Sequence, residues 1–329
     1  MKEKRLFKFG VLALSIVLIA CTGGSAEAGC PEIDGRKINV VATTPMIGEF
    51  VSQVGGDNIN LTVLMPAEAD PHTYEPAPQD AGTIADADLV FYTGLKYEPA
   101  ALIKLLENSA CSAEVLAEVG ESVFPIEFKE GGHDEGHDDH DEEGHDDHEG
   151  HDHGAYDPHF WFDPNRVAYA SEYIENKLVE FDPSNASEYE TSGKAYITEL
   201  KGLVSQVSQL ISTIPSQNRK LITTHESLGY LEAKFGLEVL STIIPSVDSA
   251  NEISPSQLVD VIDVIEDNNV KVIFIESEAP SVYAETIVAE TGIKAVEGLW
   301  VETLKDGQSY PEFLFDAVEL IVENLSNSD

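Results

Sequence analysis

The sequence predicts an α/β protein: two (β/α) lobes of about four parallel strands each, joined by one long helix. Three observations predict it. Strand-like runs alternate with helical stretches, the pattern of parallel βαβ units. That alternation occurs once before the middle of the chain and starts again at Arg219. Between the two halves lies a helical periodicity too long for a crossover within one small lobe. The length of 329 residues also exceeds one typical domain.

The first half begins with the β-rich run Lys37–Thr43, followed by a helical stretch from Pro45 to Val54. Strand Asn60–Leu64, a helix near Asp80–Ala87, strand Asp88–Tyr92 and a helix near Pro99–Glu107 follow, then a short strand near Ser122–Pro125. A tract without apolar residues interrupts. Pro164–Phe181 then reads as a helix, with Pro164 in the favoured first position behind Asp163. A second helix is expected from Pro183 to Ile214, because Tyr189, Tyr196, Leu200, Leu203, Val207, Leu210 and Ile214 recur at helical spacings. It would be about 45 Å long, enough to bridge two lobes. The second half offers strand Lys220–Thr224, helix Leu228–Phe235, strand Glu238–Ile244 and helix Ser256–Asn268, which has Ser254 and Pro255 as start signals. Strand Val270–Ile275, helix Ser281–Thr291, strand Lys294–Val296 and helix Pro311–Leu325 complete it.

The N-terminus predicts export. Lys2, Lys4, Arg5 and Lys8 precede a short apolar run, Val11–Ala20, too short to span a bilayer comfortably. The run ends Leu18-Ile19-Ala20-Cys21, which resembles a lipoprotein signal with Cys21 as the lipid attachment site. The expected organisation is a signal peptide at 1–20, a Gly/Ser/Ala-rich tether at 21–35 and an N-terminal lobe at 36–182. The lobe carries an acidic, His-rich loop at 130–154. A linking helix at 183–214 and a C-terminal lobe at 215–329 follow. Export permits a disulfide, and Cys30 and Cys111 are the candidate pair. Composition excludes nucleic acid as a partner: 19 Lys+Arg stand against 60 Asp+Glu, a net charge of −41, and phosphate binding needs a basic footprint.

Seven of the ten histidines, His133, His137, His140, His145, His148, His151 and His153, fall in that loop among Asp, Glu and Gly. Imidazole is the commonest protein ligand for transition metals. A tract this polar cannot bury a core, so the loop is expected to be an accessory metal collector. The other three histidines point to a built site. His72 lies in Asp70-Pro-His-Thr-Tyr-Glu-Pro76, His159 in Asp157-Pro-His-Phe-Trp-Phe-Asp-Pro164, and His225 directly follows strand Lys220–Thr224. Ligands of open α/β sheets gather beyond the carboxyl ends of the strands. A proline before His72 and before His159 restricts the backbone there. The residues leave three candidates for a fourth ligand: Glu276, Glu278 and Glu302. Asp157, Asp163, Glu75 and Glu226 are candidate acceptors for imidazole N–H groups.

These motifs, with Thr224-His-Glu-Ser-Leu-Gly-Tyr230 and Val272-Ile-Phe-Ile-Glu276, resemble the zinc- or manganese-binding solute receptors of ABC importers, the ZnuA-like family. The resemblance covers essentially the whole chain beyond the signal. It implies a rigid linking helix, a metal buried between the lobes, and delivery to a membrane permease by a lipid-anchored extracytoplasmic protein. The family's metal-binding histidines fall on His72, His159 and His225, and its C-terminal acidic ligand, usually Asp, falls on Glu302. Histidine as the third ligand and the His-rich loop resemble the zinc branch. Imidazole-rich sites also favour Zn²⁺ over Mn²⁺, and Mn²⁺ remains the alternative. An exported zinc hydrolase is disfavoured: after His225-Glu226, Gly229 stands where His-Glu-x-x-His needs its second histidine. A surface adhesin stabilised by metal is the other rival.

Overall fold

The computed structural model describes residues 30, 33, 35–128, 156–249, 253–278 and 281–326. The N-terminal segment with Cys21, expected to be a signal region, and the loop with His133, His137, His140, His145, His148, His151 and His153, lie outside the described residues.

The first sheet contains β1 (Ile38–Ala42), β2 (Ile59–Val63), β3 (Leu89–Tyr92) and β4 (Leu116–Glu118), in the order β2-β1-β3-β4 and parallel throughout. Helices α1 (Pro45–Gly55), α2 (Pro78–Ala85) and α3 (Ala100–Ser109) connect them. After α4 (Pro164–Phe181) and α5 (Ala186–Ser212), the second sheet repeats the plan. Its strands are β5 (Lys220–His225), β6 (Glu238–Ile244), β7 (Val272–Glu276) and β8 (Lys294–Leu299), in the order β6-β5-β7-β8 and again parallel. Helices α6 (Gly229–Phe235), α7 (Pro255–Asn268), α8 (Ala284–Thr291) and α9 (Tyr310–Ser326) complete that lobe. In each sheet the chain reverses its winding beside the first strand. The reversal opens a crevice at the carboxyl ends of β1 and β3, and of β5 and β7.

Local chemistry explains the boundaries. The Thr44 side chain accepts the Ile47 amide to start α1, and Asp163 accepts the Asn165 amide to start α4 ahead of Pro164. Ser254 and Gln257 cap α7 reciprocally. The central strands β5 and β7 are buried almost throughout, as strands covered by helices on both faces must be.

One continuous core runs from Ile38 through α4 and α5 to Leu325. The buried face of α5 is Tyr189, Gly193, Tyr196, Leu200, Leu203, Val207 and Ile211, spaced by three and four residues. Phe160, Trp161 and Phe162 are fully buried beside the crevice, and each contributes on the order of 2–3 kcal/mol by leaving water. Phe50 of α1 meets Tyr310 of α9 edge-on at 5.4 Å, so the lobes share aromatic packing. Cys30 and Cys111 are joined by a disulfide.

Two elements differ from expectation. The fourth strand is Leu116–Glu118, not Ser122–Pro125. Gly120–Val123 forms a 3-10 turn instead, and Phe124 is left-handed at φ +52°. Gly120 packs on the Thr93 carbonyl, where a Cβ would come within 2.6 Å, and Arg166 donates to the carbonyls of Val123 and Phe124. The long helix starts at Ala186 after a separate turn, Pro183–Asn185. The Asp182 carboxylate holds that turn by accepting from Ser184, Asn185 and the Tyr189 hydroxyl.

Candidate metal centre

Four segments converge in the crevice between the sheets. His72 sits in a 3-10 turn, Pro71–Thr73, after β2; the Asp70 carboxylate accepts its amide at 3.0 Å. His159 immediately precedes the turn Phe160–Phe162. His225 is the last residue of β5. Glu302 lies between β8 and α9 in a segment wrapped around Glu278, whose Oε1 accepts the amides of Val301, Glu302 and Thr303 at 3.0, 3.0 and 3.3 Å. Trp161 donates its indole N–H to the Val301 carbonyl at 2.8 Å. The first lobe therefore helps to hold the loop that carries Glu302.

His72, His159, His225 and Glu302 each offer one ligand atom, and these atoms all lie within 4.8 Å of one another. Glu302 Oε1 is 3.3 Å from His72 Nε2, 3.2 Å from His159 Nε2 and 2.6 Å from His225 Nε2. The Nε2 atoms of His159 and His225 are 3.4 Å apart. A tetrahedron with metal bonds of about 2.0–2.1 Å has edges of about 3.3–3.4 Å. Three of these separations match such edges, and the His225–Glu302 pair is closer. His159, His225 and Glu302 are fully buried, and the His72 side chain is 5% exposed, so His72 is the candidate ligand nearest solvent.

The opposite nitrogens are fixed. Asp157 Oδ1 accepts both the amide and Nδ1 of His159 at 2.8 Å. Glu276, at the end of β7, accepts from His225 Nδ1 and from the Ser227 hydroxyl. In both rings Nε2 is left facing the centre. Electrostatics follow the same geometry. Burial opposes protonation of His159, yet Glu302 and Asp157 outweigh it and push the imidazole up to about 9. Burial opposes protonation of His225 too, and Glu276 and Glu302 drive it well upward. Burial would raise the Glu302 carboxyl, but the three imidazoles hold it well below the usual carboxylate range. With neutral imidazoles, Asp157, Glu276 and Glu302 concentrate negative charge in a dry site, which a divalent cation offsets.

The sequence model of the family described as zinc-uptake complex component A, periplasmic, matches residues 40–324. The chain belongs to this family. The high-affinity zinc uptake system protein ZnuA of Bacillus subtilis is 31% identical over 327 residues, covering 96% of both chains. The manganese ABC transporter substrate-binding lipoprotein PsaA of Streptococcus anginosus is 29% identical over 333 residues, covering 98% of this chain and 99% of the relative. The periplasmic zinc-binding protein TroA of Treponema pallidum shares the fold, with a TM-score of 0.75 at 22% identity over 88% of this chain and 99% of its own.

Within this ZnuA-family chain, the structure brings together all four residues singled out outside the loop. The other two acidic candidates touch these residues from behind: Glu276 accepts from His225 Nδ1, and Glu278 accepts the amides of the Glu302 segment. Among the candidate acceptors, Asp157 takes His159, Asp163 caps α4, Glu226 takes the Thr242 hydroxyl at 3.1 Å, and Glu75 is exposed. Sequence reasoning missed Tyr97, whose hydroxyl donates to Glu302. Its one available signal was its place after β3, at the crevice end of a central strand.

Proposed function

We propose that this protein is an extracytoplasmic receptor of an ABC importer that captures Zn²⁺ between its lobes and delivers it to a membrane permease. His72, His159, His225 and Glu302 are the proposed ligands. One observation carries the reading: three imidazole nitrogens and one carboxylate oxygen, from residues of which three are fully buried, converge within 4.8 Å of one another. Such a set suits Zn²⁺ better than Mn²⁺, which takes oxygen-rich, higher-coordinate sites. Four protein ligands also leave no open position for a substrate, which favours a receptor over a hydrolase.

No helix among the described residues is long and apolar enough to cross a membrane. Membrane attachment is assigned to a lipid on Cys21, and the histidines of the 130–154 loop to accessory, weaker metal collection. The buried face of α5 belongs to the core shared by both lobes, which limits hinge motion. Release is therefore assigned to loosening of one ligand-bearing loop.

Uptake of labelled Zn²⁺ and Mn²⁺, at limiting metal, by cells carrying wild type or His225→Ala tests the reading. Loss of zinc uptake is expected. Loss of manganese uptake alone overturns the zinc assignment, and unchanged uptake of both overturns the receptor.

A further inference from the structure

We infer that Tyr97 is a positioning residue that keeps Glu302 a one-oxygen ligand, and so sets the preference for zinc over manganese; this rests on the metal-binding reading above. The two oxygens of Glu302 have different partners. Oε1 faces the three imidazoles. Oε2 accepts the Tyr97 hydroxyl at 2.9 Å, and that hydroxyl also lies 3.0 Å from the Glu302 carbonyl oxygen.

The hydroxyl has little freedom to move. Tyr97 is 1% exposed, and its ring packs edge-on against His72, Trp161 and His159 at 5.1, 5.3 and 6.0 Å. Its turn is over-determined. Gly94, Leu95 and Lys96 are all left-handed, at φ +76°, +53° and +63°, a conformation that costs energy at the two non-glycine positions and persists only where the surroundings enforce it. The buried Glu98 carboxylate enforces it by accepting the amides of Thr93 and Gly94 at 2.6 and 3.0 Å and the Thr43 hydroxyl at 2.7 Å. Tyr97 thus belongs to the first lobe and holds an oxygen carried by the second.

A carboxylate with both oxygens free can chelate, and a larger, oxygen-seeking cation gains most from that. Here the Tyr97 hydroxyl holds Oε2 while Oε1 faces the imidazoles, so turning the carboxylate to present both oxygens works against a buried hydrogen bond. Zn²⁺ is complete with three nitrogens and Oε1, whereas Mn²⁺ needs donors that Tyr97 withholds.

Tyr97→Phe removes the hydroxyl and keeps the ring. Buried Oε2 then loses its donor and is free to turn toward the ion. X-ray absorption at the zinc edge should show four ligands in wild type and five in the variant. Co²⁺-loaded protein should lose intensity in its tetrahedral visible bands on the same substitution. The ratio of the Mn²⁺ to the Zn²⁺ dissociation constant should narrow about tenfold, the scale of one buried hydrogen bond to a charged group. An unchanged ratio with unchanged spectra overturns the inference. So does a wild-type zinc spectrum with five or more ligands, a result that does not depend on how the variant folds. Wild type that binds neither metal defeats the metal-binding reading itself, a distinguishable failure.

Discussion

The Asp157 carboxylate receives both the amide and the ring Nδ1 of His159, two residues along the chain, at 2.8 Å. Pro158 between them restricts the backbone, so one short motif fixes both the position and the tautomer of a proposed ligand. Asp157→Asn can present an amide N–H to Nδ1 and favours the wrong tautomer. Loss of such an outer partner weakens metal binding about 10–100-fold. Competition against a zinc chelator measures this, and an unchanged dissociation constant would show that Asp157 only shapes the turn.

The legible and illegible parts of the site divide along physical lines. His72, His159 and His225 were visible because local rules place them: a proline-restricted turn twice and a strand end once. Glu302 was one of three acidic candidates by its residues alone, and only the family resemblance singled it out. Its position depends on Glu278 gathering three amides of the loop, which is tertiary. Tyr97 was invisible for the same reason, since it meets Glu302 across 205 residues of sequence. In the fold, Val123 and Phe124 imitate a strand, but the close contact of Gly120 with the Thr93 carbonyl turns the chain first. The helical periodicity around Tyr189 was correct, while the Asp182 turn ahead of it was hidden in ordinary polar residues.

The Cys30–Cys111 disulfide closes a separation of 81 residues. Replacing both cysteines by serine is expected to cost about 2–4 kcal/mol, because the unfolded chain regains the entropy of a long loop. Urea unfolding measures the loss. The cysteines precede β1 and β4, at the amino ends of strands whose carboxyl ends face the proposed metal centre. Zinc stoichiometry should therefore stay the same, and its loss would mean that the bridge positions the ligands.

Asp182 gives a pH-dependent contribution. Burial opposes its ionisation, but hydrogen bonds from Asn185, Ser184 and Tyr189 outweigh burial and lower its pKa. A carboxyl lowered on folding stabilises the protein above its unfolded value of about 4 and loses that contribution as pH falls through the lowered folded value. Asp182→Asn should cost about 1–3 kcal/mol at neutral pH, and the difference from wild type should shrink below about pH 4. A gap that stays constant down to the acid limb would assign the effect to shape alone.

The net charge of −41 has a local expression between α4 and α5. Burial raises the pKa of Glu175, and the charges of Glu190 and Glu172 raise it further. Glu175 is also pressed against α5 where Gly193 leaves room, since a Cβ there would meet its Oε2 at 2.1 Å. A carboxyl raised on folding favours the native state at low pH and opposes it once ionised. Glu175→Gln should therefore stabilise the protein at pH 7, by about 0.5 kcal/mol for a partly exposed group. The screening length falls from about 10 Å at 0.1 M salt to about 3 Å at 1 M. Wild type should accordingly melt higher in concentrated NaCl, and the advantage of Glu175→Gln should fade there. Urea titrations at both salt concentrations decide it: an advantage that survives at about 1 M salt would come from packing beside Gly193 rather than from relieved repulsion.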